Sequence, residues 1–245
     1  MLFRLDLHIH TPASSCYIDN VMPESGLSTT PNEIVERARS AGLDAVAITD
    51  HNTVKAIEPI RTAAQSAGLR IFSGIELSAR GGHILALWHW DTPLAKLEEL
   101  LSKLGFDGES EGKGFVETGM PMGAVFDRIH EAGGLSIAAH IDRKPKGFVA
   151  SDELALADKL RIYSHPHLNA LEITIVTDKN DWNSGKGHFQ PGTACIQGSD
   201  AHAPGEIGRR PILAELPDLS LASLGLAFKE FRSRIFFPSE ATPNP

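Results

Sequence analysis

Short apolar runs alternate along this chain with segments whose apolar residues recur at helical spacing. The apolar runs predict strands at residues 3–9, 44–51, 70–77, 83–90, 135–141, 169–175 and 194–200. The predicted helices begin near residues 31, 53, 92, 122, 151 and 219. Strands that alternate with helices form βαβ units, so we expect a mainly parallel sheet, either a barrel or an open doubly wound sheet.

Two segments between these runs have distinct compositions. Thr30 suits a helix N-cap, Pro31 the first helical position, and Glu33 completes a capping box. Residues 105–121 are rich in glycine and acidic side chains, which is typical of a mobile loop rather than of a domain boundary. We therefore expect a single domain over residues 1–245.

Composition and charge narrow the class of protein. Of the 245 residues, 42% are hydrophobic and 22% are charged, as in a globular domain. The formal net charge of −8 argues against a protein held to nucleic acid mainly by a basic surface. Only two cysteines occur, and no run of about 18 apolar residues is found. These features predict a cytoplasmic protein that does not act at a membrane.

Histidines and carboxylates collect at the ends of the predicted strands. The strand-end residues are His8, His10, Asp50, His51, Glu76, His140, Asp200 and His202. In parallel α/β architectures these ends converge on one face, where functional sites are built. His83 instead begins a strand, but a tight turn after Glu76 lets it return to the same mouth. The glycine motifs of Rossmann and P-loop nucleotide sites are absent from the sequence.

This mixture of side chains is typical of a transition-metal site. Imidazole and carboxylate ligands suit Zn, Mn or Fe(II), and one carboxylate can bridge two ions. Six histidines and at least two carboxylates exceed what a single ion can bind. The sequence therefore predicts two or three divalent ions, a cluster suited to polarising a phosphoryl oxygen and activating water.

At these residues the sequence resembles the PHP family, named for polymerase and histidinol phosphatase domains. The resemblance is carried by DLHIHT at 6–11, AITDHN at 47–52, GIEL at 74–77, HILAL at 83–87, AAHIDR at 138–143 and GSDAH at 198–202. It implies an α/β fold with a distorted seven-stranded, TIM-barrel-like (β/α) barrel. It also implies a trinuclear metal site that hydrolyses phosphoesters through a metal-bound hydroxide.

The resemblance implies a ligand set for the metal ions. One ion would be bound by His8, His10, Glu76 and Asp200. Glu76 would bridge to a second ion, which His83 and His140 also bind. His51 and His202 would bind the third ion. Asp50, from the T-D-H signature, is expected to orient a neighbouring ligand rather than to bind metal itself.

One position departs from the family pattern. PHP proteins usually carry Asp or His about six residues after the second histidine of H-x-H, and this chain has Cys16 there. The Cys16 thiolate could coordinate the third ion, which would favour zinc. Alternatively, Asp19 could reach in from a lengthened loop, or the third site could be weak. The sequence leaves these three readings open.

Substrate contacts are predicted from basic residues near the ligands. Arg143 follows His140 by three residues and is the first choice for a phosphate contact, with Lys144 beside it; Arg209 and Arg210 are second choices. Arg143 and His202 are the predicted catalytic residues. Glu172, at the end of an apolar run, is a further candidate to face the site.

The expected function is that of a phosphoesterase acting on a small phosphomonoester or nucleotide. Two alternatives remain: a nuclease acting on DNA or RNA ends, and a non-catalytic regulatory domain that metals stabilise. Retention of the whole ligand set argues against the non-catalytic alternative.

Overall fold

The fold is built around one ten-stranded sheet with helices packed against it. A computed structural model describes residues 1–22 and 29–240 of the chain. The strands are β1 (Leu2–Ile9), β2 (Ala45–Ile48), β3 (Arg70–Arg80), β4 (Gly82–Trp88), β5 (Thr118–Pro121), β6 (Leu135–Ala138), β7 (Leu168–Glu172), β8 (Cys195–Ile196), β9 (Ile212–Glu215) and β10 (Ile235–Phe236). The α-helices are α1 (Ile18–Val21), α2 (Pro31–Ser40), α3 (Ile57–Ala64), α4 (Leu94–Lys103), α5 (Met122–Glu131), α6 (Leu156–Tyr163), α7 (Lys179–Ser184), α8 (Leu221–Lys229) and α9 (Phe231–Arg234).

Seven of these strands form a nearly closed barrel. They lie in the order β1-β2-β3-β4-β6-β7-β8, each paired with the next. Ile9 at the end of β1 forms a parallel bridge with Ala201, which follows β8. The His10 amide donates to the Ala201 carbonyl at 2.9 Å. The ring therefore closes at the carboxyl end of β1, and the predicted distorted seven-stranded α/β barrel is confirmed.

The sheet is mixed: among the described strands five pairings are parallel and four are antiparallel, whereas the sequence pattern predicts a mainly parallel sheet. β4 is antiparallel to both β3 and β6. β3 and β4 form a hairpin that turns at Gly81, whose φ of 116° favours glycine. Such a tight connection joins antiparallel strands, because a parallel pair needs a crossover of a dozen or more residues. The reversal returns His83 to the mouth of the barrel.

The strands of the barrel are buried on both faces. All four residues of β2 and all seven of β4 are buried. Helices α2 and α3 contribute Ile34, Val35, Ile57 and Ile60 to the same hydrophobic core. Continuous apolar runs such as these are expected where helices cover one face and a barrel interior the other. None of the described helices is both long and apolar enough to cross a membrane.

The remaining differences from the predicted elements lie in short or irregular segments. The helix predicted from residue 151 begins at Leu156, because the Ser151 hydroxyl accepts from the Glu153 amide in a local turn. β5 lies inside the segment predicted as a loop, and the sequence pattern predicts none of α1, α7, β9 and β10. Elements of two to six residues are too short to show a hydrophobic period.

Candidate metal centre

The Glu76 carboxylate lies at the centre of a cluster of histidines at the barrel mouth. Its Oε2 atom is 3.4 Å from His8 Nε2, 3.2 Å from His10 Nε2 and 3.0 Å from His51 Nδ1. Its Oε1 atom is 2.9 Å from His83 Nδ1 and 3.0 Å from His140 Nε2. Four strands or strand ends thus direct five imidazoles at one buried carboxylate.

Around Glu76 the ligand atoms fall into three groups, each with its atoms within 4.8 Å of one another. The groups are His8, His10, Glu76 and Asp200; His51, Glu76 and His83; and His10, Cys16, His51 and His202. The first group is the set that the family resemblance implies for one ion. His140 Nε2 contacts Glu76 Oε1, the same oxygen that His83 of the second group contacts.

Hydrogen bonds fix which ring nitrogen of several histidines faces the cluster. His202 Nδ1 lies 2.8 Å from the Asp200 carbonyl, which only accepts, so this nitrogen carries the proton and Nε2 is left unprotonated with its lone pair toward Cys16. His8 Nδ1 lies 3.0 Å from both Glu172 oxygens, leaving Nε2 toward the cluster. Metal-binding histidines usually have such a partner on the other nitrogen. Glu172, a further candidate from the sequence, therefore reaches the site through His8.

A serine that the sequence did not single out orients His10. Ser14 Oγ donates to Asp50 Oδ1 at 2.6 Å, so it accepts from His10 Nδ1 at 3.0 Å and from the His51 amide at 3.2 Å. Asp50 also accepts from the Thr11 amide and hydroxyl. Asp50 thus orients His10 through Ser14, the indirect role expected of it. No sequence motif around Ser14 indicates that this serine orients a histidine.

The segment predicted as a mobile loop is tied down over the cluster. His83 Nε2 donates to the Gly114 carbonyl at 3.0 Å, and Ser78 Oγ donates to the same carbonyl at 2.9 Å. Asn52 Nδ2 donates to the carbonyls of Lys113 and Val116, both at 3.0 Å. Residues 112–116, hereafter the covering segment, therefore close one side of the metal centre.

Two cluster residues have an uncommon backbone conformation. His140 and Asp200 have φ values of 31° and 48°, in the left-handed region that only a few per cent of non-glycine residues adopt. The His140 amide donates to Glu172 Oε2 at 2.9 Å, which helps to hold that conformation. Backbone outliers held in this way concentrate at functional sites.

Burial and opposite charges shift the protonation of the cluster. Burial lowers the pKa of His10, but the neighbouring carboxylates of Asp200 and Glu76 outweigh it and raise the pKa to about 9. Burial also lowers the pKa of His8, but the charges of Glu172, Glu76 and Asp200 outweigh burial and raise this pKa. Against the effect of burial, neighbouring histidines hold the pKa values of Glu76 and Asp200 below their usual range. Burial lowers the pKa of His51 to about 4.

The donor atoms fit divalent transition metals. Ligands about 2.1 Å from a metal ion lie about 3.0–3.4 Å apart at the edges of octahedral and tetrahedral coordination, and the separations around Glu76 Oε2 are 3.0–3.4 Å. Glu76 Oε2, His51 Nδ1 and His140 Nδ1 are buried without a hydrogen-bond partner. Buried polar atoms normally have one, so Glu76 Oε2 and His51 Nδ1, which face each other, are suited to a cation.

Cys16 and Asp19, the two candidates for the additional ligand of the third ion, have different surroundings in the structure. Cys16 Sγ lies 3.1 Å from His202 Nε2 and belongs to the third donor group. The Asp19 carboxylate instead accepts from the Thr29 amide at 2.7 Å and from the Thr29 hydroxyl at 3.1 Å. Asp19 is therefore not brought together with the cluster. Burial, and then the charge of Glu76, raises the pKa of the Cys16 thiol to about 12.

Arg143 is the one predicted phosphate-binding residue of the four that contacts a cluster residue. Its Nη1 donates to Asp200 Oδ2 at 2.5 Å, and 46% of its side chain is exposed. Lys144 pairs with Asp152. Arg209 donates to the Ser199 carbonyl and Glu206, and Arg210 to the carbonyls of Ile173 and Thr174.

The structure is that of a seven-stranded α/β barrel whose mouth carries clustered histidines and carboxylates, which places it among the barrels suited to binding metal ions. Within that class, a sequence profile of the PHP domain matches residues 6–131, just over half of the chain. The chain belongs to the PHP family.

Individual relatives extend the comparison. A 5'-3' exoribonuclease from Haemophilus influenzae is 33% identical over 105 residues, which are 41% of this chain and 34% of that protein. An endonuclease Q in complex with a 27-mer duplex superposes with a TM-score of 0.73 at 22% identity, covering 96% of this chain and 58% of that one. A two-domain protein from Bacteroides vulgatus, described as containing a predicted PHP-like metal-dependent phosphoesterase, has a TM-score of 0.61 at 16% identity, covering 97% and 65%. The chain thus spans about a third of the exoribonuclease and less than two thirds of both structural neighbours.

Proposed function

We propose that this chain is a metal-dependent hydrolase of phosphoesters whose substrate is a small phosphomonoester or a nucleotide. The observation that carries the proposal is the buried Glu76 carboxylate, which five imidazole nitrogens approach within 3.4 Å. Two or three Zn, Mn or Fe ions, when bound, supply Lewis-acid activation of water and offset charge on the phosphoryl group.

The ligands for these ions are the residues of the three donor groups together with His140. His8, His10, Glu76 and Asp200 would hold one ion, and Glu76 would also contribute to a second ion held with His83 and His140. His51 and His202 would hold the third. Glu172 and Ser14 hold the rings of His8 and His10 with their Nε2 atoms directed inward. The covering segment limits the access of bulk water on the side of His51 and His83.

Arg143 binds the phosphoryl group of the substrate. One guanidinium nitrogen holds Asp200, and the exposed remainder of the fork is directed to solvent at the open side of the cluster. A guanidinium matches the geometry of phosphate oxygens. His202, whose side chain is 30% exposed, lies at the same open side and is the second predicted catalytic residue.

The charges around the mouth favour a small substrate. Three lysines near the cluster are each paired with a carboxylate: Lys55 with Glu111, Lys144 with Asp152 and Lys146 with Glu117. Such pairing leaves little unbalanced positive charge for a long phosphate backbone, and the whole chain carries a net charge of −8.

A nuclease acting on nucleic-acid ends is the second candidate. It is supported by the 33% identity to a 5'-3' exoribonuclease over 105 residues and by the fold shared with an endonuclease Q seen on a DNA duplex. In this candidate the same cluster hydrolyses the terminal phosphodiester of a strand.

The test is a hydrolysis panel with metal-loaded protein. The panel contains sugar phosphates, mononucleotides, dinucleotides and 5'-phosphorylated RNA and DNA oligonucleotides, with phosphate and nucleotide release measured separately. We expect release of inorganic phosphate from the small substrates and its loss in His10→Ala. His188→Ala, at an exposed histidine outside the cluster, should retain it. Turnover of oligonucleotides alone would support the second candidate. No turnover by a protein that binds its metals would refute both.

A further inference from the structure

We propose that Cys16 supplies a thiolate ligand to the metal centre, so that one ion of the cluster has a mixed imidazole and sulfur ligand set. The inference rests on the metal dependence of the proposed function but on no particular substrate. It assigns to this chain a donor of different chemistry from the carboxylate or imidazole that the family usually places here.

The position of Cys16 within the cluster is the first argument. Its sulfur is 3.1 Å from His202 Nε2, the ring nitrogen that the Asp200 carbonyl leaves unprotonated. Sulfur, His10, His51 and His202 offer ligand atoms within 4.8 Å of one another. His51 also has a buried Nδ1 without a hydrogen-bond partner. His10 Nδ1 is bonded to Ser14 and its Nε2 faces Glu76 and Asp200, so Cys16 adds sulfur to the imidazoles of His51 and His202. Mixed cysteine and histidine ligands are typical of zinc sites.

The backbone on both sides of Cys16 is fixed to the walls of the site. The Ser15 amide donates to the Gly112 carbonyl at 2.8 Å, which ties Cys16 to the covering segment. The Ile18 amide donates to the His202 carbonyl at 2.8 Å, on the opposite side. Ser14, two residues before, is bonded to Asp50 and His10. The thiol is therefore held in place by residues that also position imidazole ligands.

The competing carboxylate is already engaged. Asp19 lies in α1 and accepts two hydrogen bonds from Thr29, at 2.7 and 3.1 Å. Reaching the cluster would require Asp19 to give up both bonds and α1 to rotate. Cys16 needs no rearrangement of its backbone.

The chemistry of ligation is simple to balance. As the sulfur–metal bond forms, the thiol S–H bond breaks, the proton leaves to solvent and the sulfur donates its electron pair to the ion. Thiolate is a soft ligand, which favours zinc over manganese at this position of the cluster.

Cobalt(II) substitution tests the inference directly, because a thiolate bound to cobalt gives an intense charge-transfer absorption in the near ultraviolet. The protein is stripped of metal, loaded with cobalt(II) and measured without substrate, and bound metal is counted by mass spectrometry. We expect the band in the wild type, its loss in Cys16→Ser, and a reduced metal count in Cys16→Ala. Cys16→Asp should restore the count without the band.

Cys195 and Asp19 provide the controls. Cys195 is the other cysteine, buried in β8 with its sulfur 3.9 Å from the Thr193 carbonyl, so Cys195→Ala should keep the band. Asp19→Asn should keep both the band and the metal count. Absence of the band from fully loaded wild type would overturn the inference without any variant. So would its persistence in Cys16→Ser, or loss of an ion in Asp19→Asn but not in Cys16→Ala.

These outcomes are separate from those of the hydrolysis panel. A chain that shows the band but hydrolyses no phosphoester would refute the proposed function and leave the role of Cys16 intact. A chain that hydrolyses phosphoesters without the band would do the opposite.

Discussion

Two histidines of the cluster each have a hydrogen-bond partner on the ring nitrogen that faces away from the cluster. Glu172 holds His8, and Asp50 holds His10 through Ser14. Each partner removes the freedom of a ring to rotate and fixes its tautomer. Partners of this kind typically change metal affinity by about 10–100-fold when removed.

Arg143 and Lys144 allow a residue-scale test of phosphate binding. Arg143→Ala removes the guanidinium beside Asp200, and we expect kcat/KM for the phosphoester to fall about 10–100-fold, since hydrogen bonds between charged groups contribute about 1.5–3 kcal/mol. Steady-state kinetics on metal-loaded protein would measure it. The adjacent Lys144→Ala, which breaks an exposed pair with Asp152, should change kcat/KM by less than about twofold. Equal effects of the two variants would contradict a specific role for Arg143.

At the scale of elements, the hairpin of β3 and β4 and the covering segment complete the centre. The hairpin reverses the chain so that His83 on β4 faces Glu76 on β3. The covering segment then accepts from His83 and from Ser78 through one carbonyl, that of Gly114. The close approach requires glycine, because a Cβ atom at position 114 would lie 2.6 Å from His51 Nε2.

Gly114→Ala tests the packing of the covering segment. The added methyl group forces His51 or the segment to move, and we expect metal affinity to fall by about tenfold or more. A competitive chelator titration measures the affinity. Gly108→Ala is the matched control, because a Cβ atom there would have no heavy atom within 4 Å. Unchanged affinity in Gly114→Ala would show that the segment is not packed against the metal centre in solution.

At the scale of the whole molecule, the barrel closes beside the candidate metal ligands. The Ile9–Ala201 bridge joins the end of β1 to the segment that carries Asp200 and His202. An ion held by His8, His10 and Asp200 would therefore connect the first and last strands of the ring. An ion that binds only the folded chain stabilises it by about 4 kcal/mol when its concentration is 1,000 times the dissociation constant.

The stability of the metal-free protein should depend on pH through His10. Its pKa of about 9 in the folded chain exceeds the ordinary value of 6.5. Protonation of His10 therefore stabilises the folded state fully below pH 6.5, and this contribution is lost as the pH rises from about 6.5 to about 9. Burial opposes the shift in pKa, while Asp200 and Glu76 cause it.

Thermal unfolding of chelated protein at pH 6.5 and pH 9 would measure this effect. We expect a lower Tm at pH 9, a smaller difference in His10→Gln, and no such loss in metal-loaded protein, whose ligands are already deprotonated. His188→Asn, at an exposed histidine, should behave as the wild type. An equal Tm at both pH values in chelated wild type would contradict the prediction.

The amino-acid sequence by itself determined which residues converge and on what kind of fold. His8, His10, His51, Glu76, His140, Asp200 and His202 follow apolar runs, and strand ends in an α/β barrel meet at one mouth. That rule needs only local patterning, which one chain displays. The pattern left a barrel and an open sheet as alternatives, and the family resemblance added the barrel and its seven strands.

Only the tertiary structure decided the contacts between segments distant in the chain. The pairing of Cys16 with His202 spans 186 positions, and that of His8 with Glu172 spans 164. No local pattern encodes such distances, so the sequence left three readings open: ligation by Cys16, ligation by Asp19, or a weak third site. The direction of β4, the place of Gly114 and the occupied carboxylate of Asp19 depend on packing, which exists only once the barrel has closed.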